Sequence, residues 1–166
     1  MSSKKSFNAF WNSLESNGLH HELLPLLQTR QRPFEKKEYP FIVFDKRKNA
    51  YAGSTRFYDI QLSNKTLQLG YTWYGKEFQG TGLNKHCKFL LLEFAFEKML
   101  MERVEFRADN KNEKSIAAMK SIGCVVDGVL RSNSITAEGG RRDSIVLSIL
   151  KDEWNGSVKN GLIAKL

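Results

Sequence analysis

Cysteine, proline and histidine are all scarce in this chain of 166 residues, which holds two, three and three of them. Cys87 and Cys124 are far apart and neither belongs to a C-x-x-C pair, so they read as reduced, buried thiols rather than a disulfide or metal framework. His20 and His21 are adjacent, with no acidic residue or second histidine at i+4, which makes them surface residues rather than metal ligands. No stretch reaches 18 uninterrupted apolar residues, and the opening Met-Ser-Ser-Lys-Lys leads into an amphipathic segment without the apolar core of a signal peptide. Also missing are a G-x-S-x-G elbow, an H-E-x-x-H pair, a carboxylate-rich metal loop, a zinc finger and an RNA-binding aromatic motif. The expectation is a cytoplasmic protein with no metal and no membrane contact.

What is present is one domain's worth of chain, 41% hydrophobic, with no repeat, linker or low-complexity tract to divide it, so residues 1–166 read as a single domain. The formal net charge of +8 is spread in short clusters such as Lys46-Arg47-Lys48 and Arg141-Arg142. Nucleic acid would need a denser stripe, so no nucleic-acid partner is expected; a solvated surface or a phosphorylated ligand accounts for this pattern.

Helical spacing of Phe7, Phe10, Trp11 and Leu14 after Ser6 predicts a first helix, and Leu19 to Leu27 a second that Pro25 starts or kinks. From Tyr39 the period becomes that of strands: Tyr39 to Phe44, Ala50 to Ile60 and Thr66 to Tyr74, separated by polar turns, predict an antiparallel meander. Next come Gly75-Lys76-Glu77-Phe78-Gln79-Gly80-Thr81-Gly82 and a long segment, Leu83 to Leu100, that is apolar almost all round and therefore expected at the centre of the molecule. Two glycines heading a helix let backbone N–H groups converge, and the helix adds its unpaired first-turn donors: a cradle for a phosphate-bearing ligand. Arg103 to Ala108 follows as a strand parallel to the one before the glycine loop. Asn112-Glu-Lys-Ser115 opens a helix that Gly123 ends, Cys124 to Arg131 and Arg142 to Leu150 are two more strands, and the tail after Trp154 is only weakly patterned. Gly70, Gly75 and Lys76 also fit the opening of a P-loop, but Glu77 stands where a Ser or Thr would hold magnesium and the intervening residues are a strand.

Taken in order, Leu69-Gly70-Tyr71, Gln79-Gly80-Thr81-Gly82, Arg103-Val104, Asn112-x-x-Ser115-x-x-Ala118, Ile122-Gly123, Asp127-Gly128-Val-Leu-Arg131 and Arg142-Asp143 resemble the GNAT superfamily of acyl-CoA-dependent N-acyltransferases, within it the RimJ/RimL-like branch. The resemblance covers roughly residues 38–154. It implies an α/β fold: a mixed, mostly antiparallel central sheet with flanking helices and a splayed parallel strand pair at the CoA site. It implies acetyl-CoA as co-substrate and direct acetyl transfer to an amine, either a protein N-terminus or a small molecule. The family's pyrophosphate loop falls on Phe78, Gln79, Gly80, Thr81, Gly82 and Leu83, and its pantetheine arm between Thr66–Tyr74 and Arg103–Ala108. A backbone N–H at Tyr71 or Thr72 would meet the carbonyl oxyanion. The family's asparagine falls on Asn112, which can equally be a plain helix cap.

Departures from the family pattern matter too. Gln68 occupies the place of a glutamate often found there and cannot act as a general base. Met119 stands where many members have the tyrosine that protonates the leaving thiolate, which leaves the Ser115 hydroxyl, or mere helix capping by that serine. No counterpart of the family's first strand precedes Ser6, so another segment, or a second copy in a homodimer, is expected to cover that sheet edge. Residues 6–31, with Phe10 and Trp11, would form the acceptor wall or ordinary core. The alternative to an enzyme is a GNAT-fold acyl-CoA-binding or regulatory domain without turnover.

Overall fold

The computed structural model describes residues 38–136 and 139–166. The expected helices before Tyr39, with Phe10, Trp11, His20, His21 and Pro25, lie outside the described residues. Alternating apolar positions form the meander β1 (Glu38–Asp45), β2 (Ala50–Gln61) and β3 (Thr66–Tyr74). Its first turn closes because Asp45 Oδ1 accepts from the Arg47 and Lys48 N–H groups at 2.8 and 3.3 Å, and Asn49 takes φ +50°. Residue Lys65, at φ +52°, plays the same part in the second turn.

After β3 a short 3₁₀ turn (Lys76–Phe78) leads to α1 (Leu83–Glu93), which runs on through a π-helical turn (Phe94–Lys98) to β4 (Arg103–Asp109). Beyond β4 come α2 (Glu113–Ser121), β5 (Val125–Ile135) and β6 (Arg141–Leu150). The six strands stand in the order β1-β2-β3-β4-β6-β5, antiparallel throughout except for β3 and β4, which the helical crossover makes parallel. This is the mixed sheet the sequence led us to expect, with strand ends differing by no more than four residues.

Two expectations need correction. The crossover helix is not buried all round: Leu92, Ala95 and Phe96 face the core, whereas Leu90 is 41% exposed. Its apolar excess reflects one wide buried stripe, since a helix lying on one face of a sheet keeps its outer side in water. The tail is also more ordered than its pattern suggested, because α3 (Lys151–Glu153), a π turn (Trp154–Val158) and α4 (Lys159–Ile163) run on as one helical stretch. Trp154 and Leu162, eight residues apart, are both buried there. Trp154 stacks on Phe96 with ring centroids 5.6 Å apart, and its indole N–H donates to Glu97 Oε1 at 3.1 Å.

The core between sheet and helices joins Phe57, Leu67, Leu69, Val104, Phe106, Leu147 and Ile149 to this helical layer. Gly123, at φ +99°, ends α2, and a Cβ there would lie 2.8 Å from Val158 Cγ1, so glycine also lets the C-terminal helix close in. Cys124 is buried and Cys87 half-buried, and both are free thiols. No helix of the described residues is long and apolar enough to cross a membrane.

Trp154 clamps the C-terminal helix to the crossover helix with both stacking and a hydrogen bond. Trp154→Ala is therefore expected to cost about 3–5 kcal/mol, read as a lower denaturation midpoint. A loss under about 1 kcal/mol would show that the C-terminal helix is held elsewhere.

Candidate active site

The site starts from a strand pair that stops early. β3 and β4 are in register only over Thr66↔Arg103, Leu67↔Val104 and Gln68↔Glu105. β4 then stays with β6 as far as Asp109↔Ser144, while β3 stays with β2, so the two parallel strands separate. On the β3 side the cause is a bulge: Ser54 pairs Trp73 and Arg56 pairs Gly70, so Tyr71 and Thr72 together oppose Thr55 alone. Tyr71 takes φ +50° there. Past Gln68 the backbone groups that β3 turns toward β4 have no strand partner, and a bound chain with amide groups could supply one.

A glycine loop closes one end of this split. Gly80 and Gly82 take φ +75° and +85°, and a Cβ on either would meet nothing within 4 Å, so the space above both is open. Thr81 Oγ1 donates to the Phe78 carbonyl at 2.8 Å and accepts from the Leu83 N–H at 3.4 Å, which fixes the approach to α1. The next first-turn N–H groups of α1 have no acceptor within the helix and lie at the positive end of its dipole. Phe78 itself is 4% exposed and packs with Val43, Ala52 and Tyr74, while Leu83 packs against the same cluster. These two anchor the loop and leave the ligand side to the backbone of Gly80–Gly82. Lys48 Nζ donates to the Glu77 carbonyl at 2.8 Å and adds a positive charge near the loop.

Gln79 links the loop to the far wall. Its Nε2 donates to the Tyr74 carbonyl at 3.0 Å, and its Oε1 accepts from Lys114 Nζ at 3.0 Å, which draws the first turn of α2 toward the loop. Asn112 is the cap of that helix: its Oδ1 accepts from the Ser115 N–H at 3.0 Å. The capping bond uses the backbone of Ser115 and not its hydroxyl, which remains half-buried on the first turn. The structure thus brings Gln79, Asn112 and Ser115 to one end of the split and Tyr71 and Thr72 to its β3 wall.

Several residues escaped the sequence reading. Gln68, 6% exposed, donates through Nε2 to Asp59 Oδ2 at 2.9 Å, so a carboxylate stands one hydrogen bond from the mouth of the split. Asp59 lies at a second irregularity of β2, with φ +47°. Beside it Tyr58 packs edge-on against Tyr71, and burial above all raises the Tyr58 hydroxyl to about 12. Lys88 on α1 is 5% exposed and donates to Thr72 Oγ1 at 2.8 Å and Thr55 Oγ1 at 3.2 Å. Its signal was legible: Lys88, Leu92, Ala95 and Phe96 share the i, i+4, i+7, i+8 stripe that faces the core. Asp59 left no such trace, because only strand register brings it to Gln68.

Comparison with known proteins gives a consistent outcome. The family model described as an acetyltransferase (GNAT) domain matches residues 9–125. YdaF of Bacillus subtilis (strain 168), described as a candidate ribosomal N-acetyltransferase, is 33% identical over 104 residues, 63% of this chain and 56% of its own. The match thus spans little more than half of that relative. A crystal structure of a candidate acetyltransferase from T. thermophilus superposes with a TM-score of 0.72 at 39% identity, over 80% of this chain and 68% of that one. A second crystal structure of a candidate acetyltransferase agrees equally well, at TM-score 0.72 and 37% identity over 90% and 72% of the two chains.

Burial lowers the Lys88 ammonium to about 8 from 10.5. The folded state therefore gives up this proton before the unfolded chain does, so stability contributed by this site is least below about pH 8 and grows as pH rises toward 10.5. Denaturant midpoints across that window should rise in the native protein relative to Lys88→Met, by about 1.4 kcal/mol per pH unit at most. Parallel curves for the two proteins would mean that Lys88 keeps an ordinary affinity for its proton.

Proposed function

Since this chain belongs to the GNAT acetyltransferase family, we propose that it binds acetyl-CoA in the split between β3 and β4 and passes the acetyl group directly to an amine. The observation that carries this is the parting of β3 from β4 after Gln68↔Glu105, next to an open glycine loop at the head of α1. Pantetheine, which carries two amides, pairs with the free edge of β3, and the pyrophosphate sits on the backbone of Gly80–Gly82 and the α1 N-terminus. The thioester is already activated, so the protein needs only to orient the partners, meet the oxyanion and move protons.

Within that reading each residue has one task. A backbone N–H of the Tyr71–Thr72 bulge receives the carbonyl oxygen as it becomes negative. Asp59, oriented by Gln68, takes the amine proton, which relieves Gln68 of a task its amide cannot perform. Ser115, whose hydroxyl stays out of the helix cap, gives a proton to the leaving thiolate or holds it beside the α2 N-terminus. The acceptor is a primary amine of the kind the RimJ/RimL-like branch uses, a protein N-terminus or a small molecule. The likeness to a relative described as a candidate ribosomal N-acetyltransferase supports the first of these. Gln68 in place of the family's glutamate favours the second reading, an acyl-CoA-binding domain without turnover.

Thiol release from acetyl-CoA with a panel of peptides and small amines separates these two, since the binding domain would release none. Gly82→Val cannot hold φ +85° and should bring a side chain into the pyrophosphate approach, so calorimetry is expected to show CoA affinity at least tenfold weaker. Unchanged affinity in the folded variant would place the cofactor elsewhere.

Ser115→Ala and Asp59→Asn should each lower kcat by about 10²–10⁴-fold at nearly constant melting temperature. The Asn112 cap survives in the first variant, and an amide can replace the carboxylate as Gln68's acceptor in the second. Full activity in either variant would remove that residue from the chemistry.

A further inference from the structure

Lys88 is hard to explain as structure. It comes from α1 into a space closed by β2, β3 and β4, with Thr55 and Thr72 as hydrogen-bond partners and the Phe106 ring 5.9 Å away. Among the described residues no carboxylate pairs with it; the titratable groups beside it are the thiols of Cys87 and Cys124. Burial raises both thiols, Cys124 to about 12, so both are neutral at physiological pH. A buried ammonium without a counter-charge is a large liability, and leucine or methionine would fill the same volume without it.

Its hydrogen bonds are directional. Thr55 Oγ1 donates to the Gly70 carbonyl at 3.1 Å and accepts from Lys88, so its proton is committed to the β3 backbone. Thr72 Oγ1 accepts from Lys88 at 2.8 Å and lies 2.9 Å from Thr55 Oγ1. With the Thr55 proton so used, Thr72 is the donor of that 2.9 Å bond, and rotation about its Cβ–Oγ1 bond would turn the same proton outward from this exposed residue of the bulge. Lys88 lies six residues past Gly82, about 9 Å along the helix, and reaches the bulge rather than the glycine loop.

Resting on the acetyl-CoA reading above, we propose that Lys88 is the counter-charge of the acyl oxyanion: it positions the Thr72 hydroxyl as a second oxyanion donor beside the backbone N–H of the bulge. As the amine nitrogen bonds to the thioester carbon, the carbonyl π pair moves to oxygen, and that oxygen takes hydrogen bonds from Thr72. The pair then returns, the C–S bond breaks and the thiolate leaves with its electrons, while the amine proton passes to Asp59. Lys88 and Thr72 end as they began. The ammonium is best compensated when the oxygen is negative, so its field favours the transition state over bound acetyl-CoA.

The test uses the full chain with two arms. In the binding arm, calorimetry compares carboxymethyl-CoA, which puts a negative oxygen near the acyl position, with neutral ethyl-CoA. The native protein should prefer carboxymethyl-CoA, and Lys88→Met should lose that preference while still binding ethyl-CoA. In the turnover arm, Lys88→Met and Thr72→Val should each lower kcat about 10²-fold with the KM for acetyl-CoA nearly unchanged. The double variant should be little worse than either, and Thr72→Ser should recover most of the rate. In the native enzyme kcat should fall as pH rises past about 8, where Lys88 loses its charge, and the residual rate of Lys88→Met should show no such fall. An equal preference for carboxymethyl-CoA in native and Lys88→Met protein overturns the proposal, with or without an identified amine. So does full kcat in Lys88→Met. Failure of the native protein to bind any CoA would instead overturn the acetyl-CoA reading and this proposal with it.

Discussion

A parallel strand pair that stops after three residues leaves backbone donors and acceptors that must find partners outside the sheet. Each one buried and unpaired would cost about 1–3 kcal/mol, so such a break survives only where something holds it apart and something else fills it. Here the holding is visible. β4 is tied along its length to β6, β3 is tied to β2, and the bulge at Tyr71 and Thr72 gives β3 one residue more than its neighbour can match. The hydroxyls of Thr55 and Thr72 and the ammonium of Lys88 meet on the core side of that bulge.

The two ends of the split then acquire different chemistry from one geometry. At the glycine-loop end, donors come from backbone: open space above Gly80 and Gly82, the start of α1, and the start of α2 drawn in by the Lys114–Gln79 bond. At the mouth, side chains dominate, with Gln68 and Asp59, the Tyr58–Tyr71 pair and the Arg56 guanidinium 4.3 Å from the Tyr71 ring. The proposed reading puts the phosphates of the acyl donor at the first and the reacting amine at the second. The crossover helix serves both: its N-terminus faces the loop and its second turn carries Lys88 to the bulge.

Much of this is legible in the sequence. The meander, the glycine loop, the crossover, the Asn112 cap and the last two strands follow from periods of two and 3.6 and from local turn chemistry. The glycine loop could be read because glycine takes the positive φ of a tight loop without strain, whatever surrounds it. Asn112 could be read because a cap is decided within four residues. By contrast, the composition of Leu83 to Leu100 is apolar all round, although the phase of its residues is not. The stripe through Lys88, Leu92 and Phe96 shows what phase alone would have revealed.

The sequence by itself determined the order of elements, the residues that make the loop and cap, and a resemblance to the acetyltransferase family. Tertiary structure alone decided where β3 and β4 part, that Lys88 is buried against two threonines, that Asp59 stands beside Gln68, and that Trp154 anchors a C-terminal helix. The division has a physical cause. Turns, caps and helix starts are settled by neighbours along the chain. Strand register, a bulge and the burial of one charge depend on residues tens of positions apart, whose meeting is set by the packing of the whole sheet.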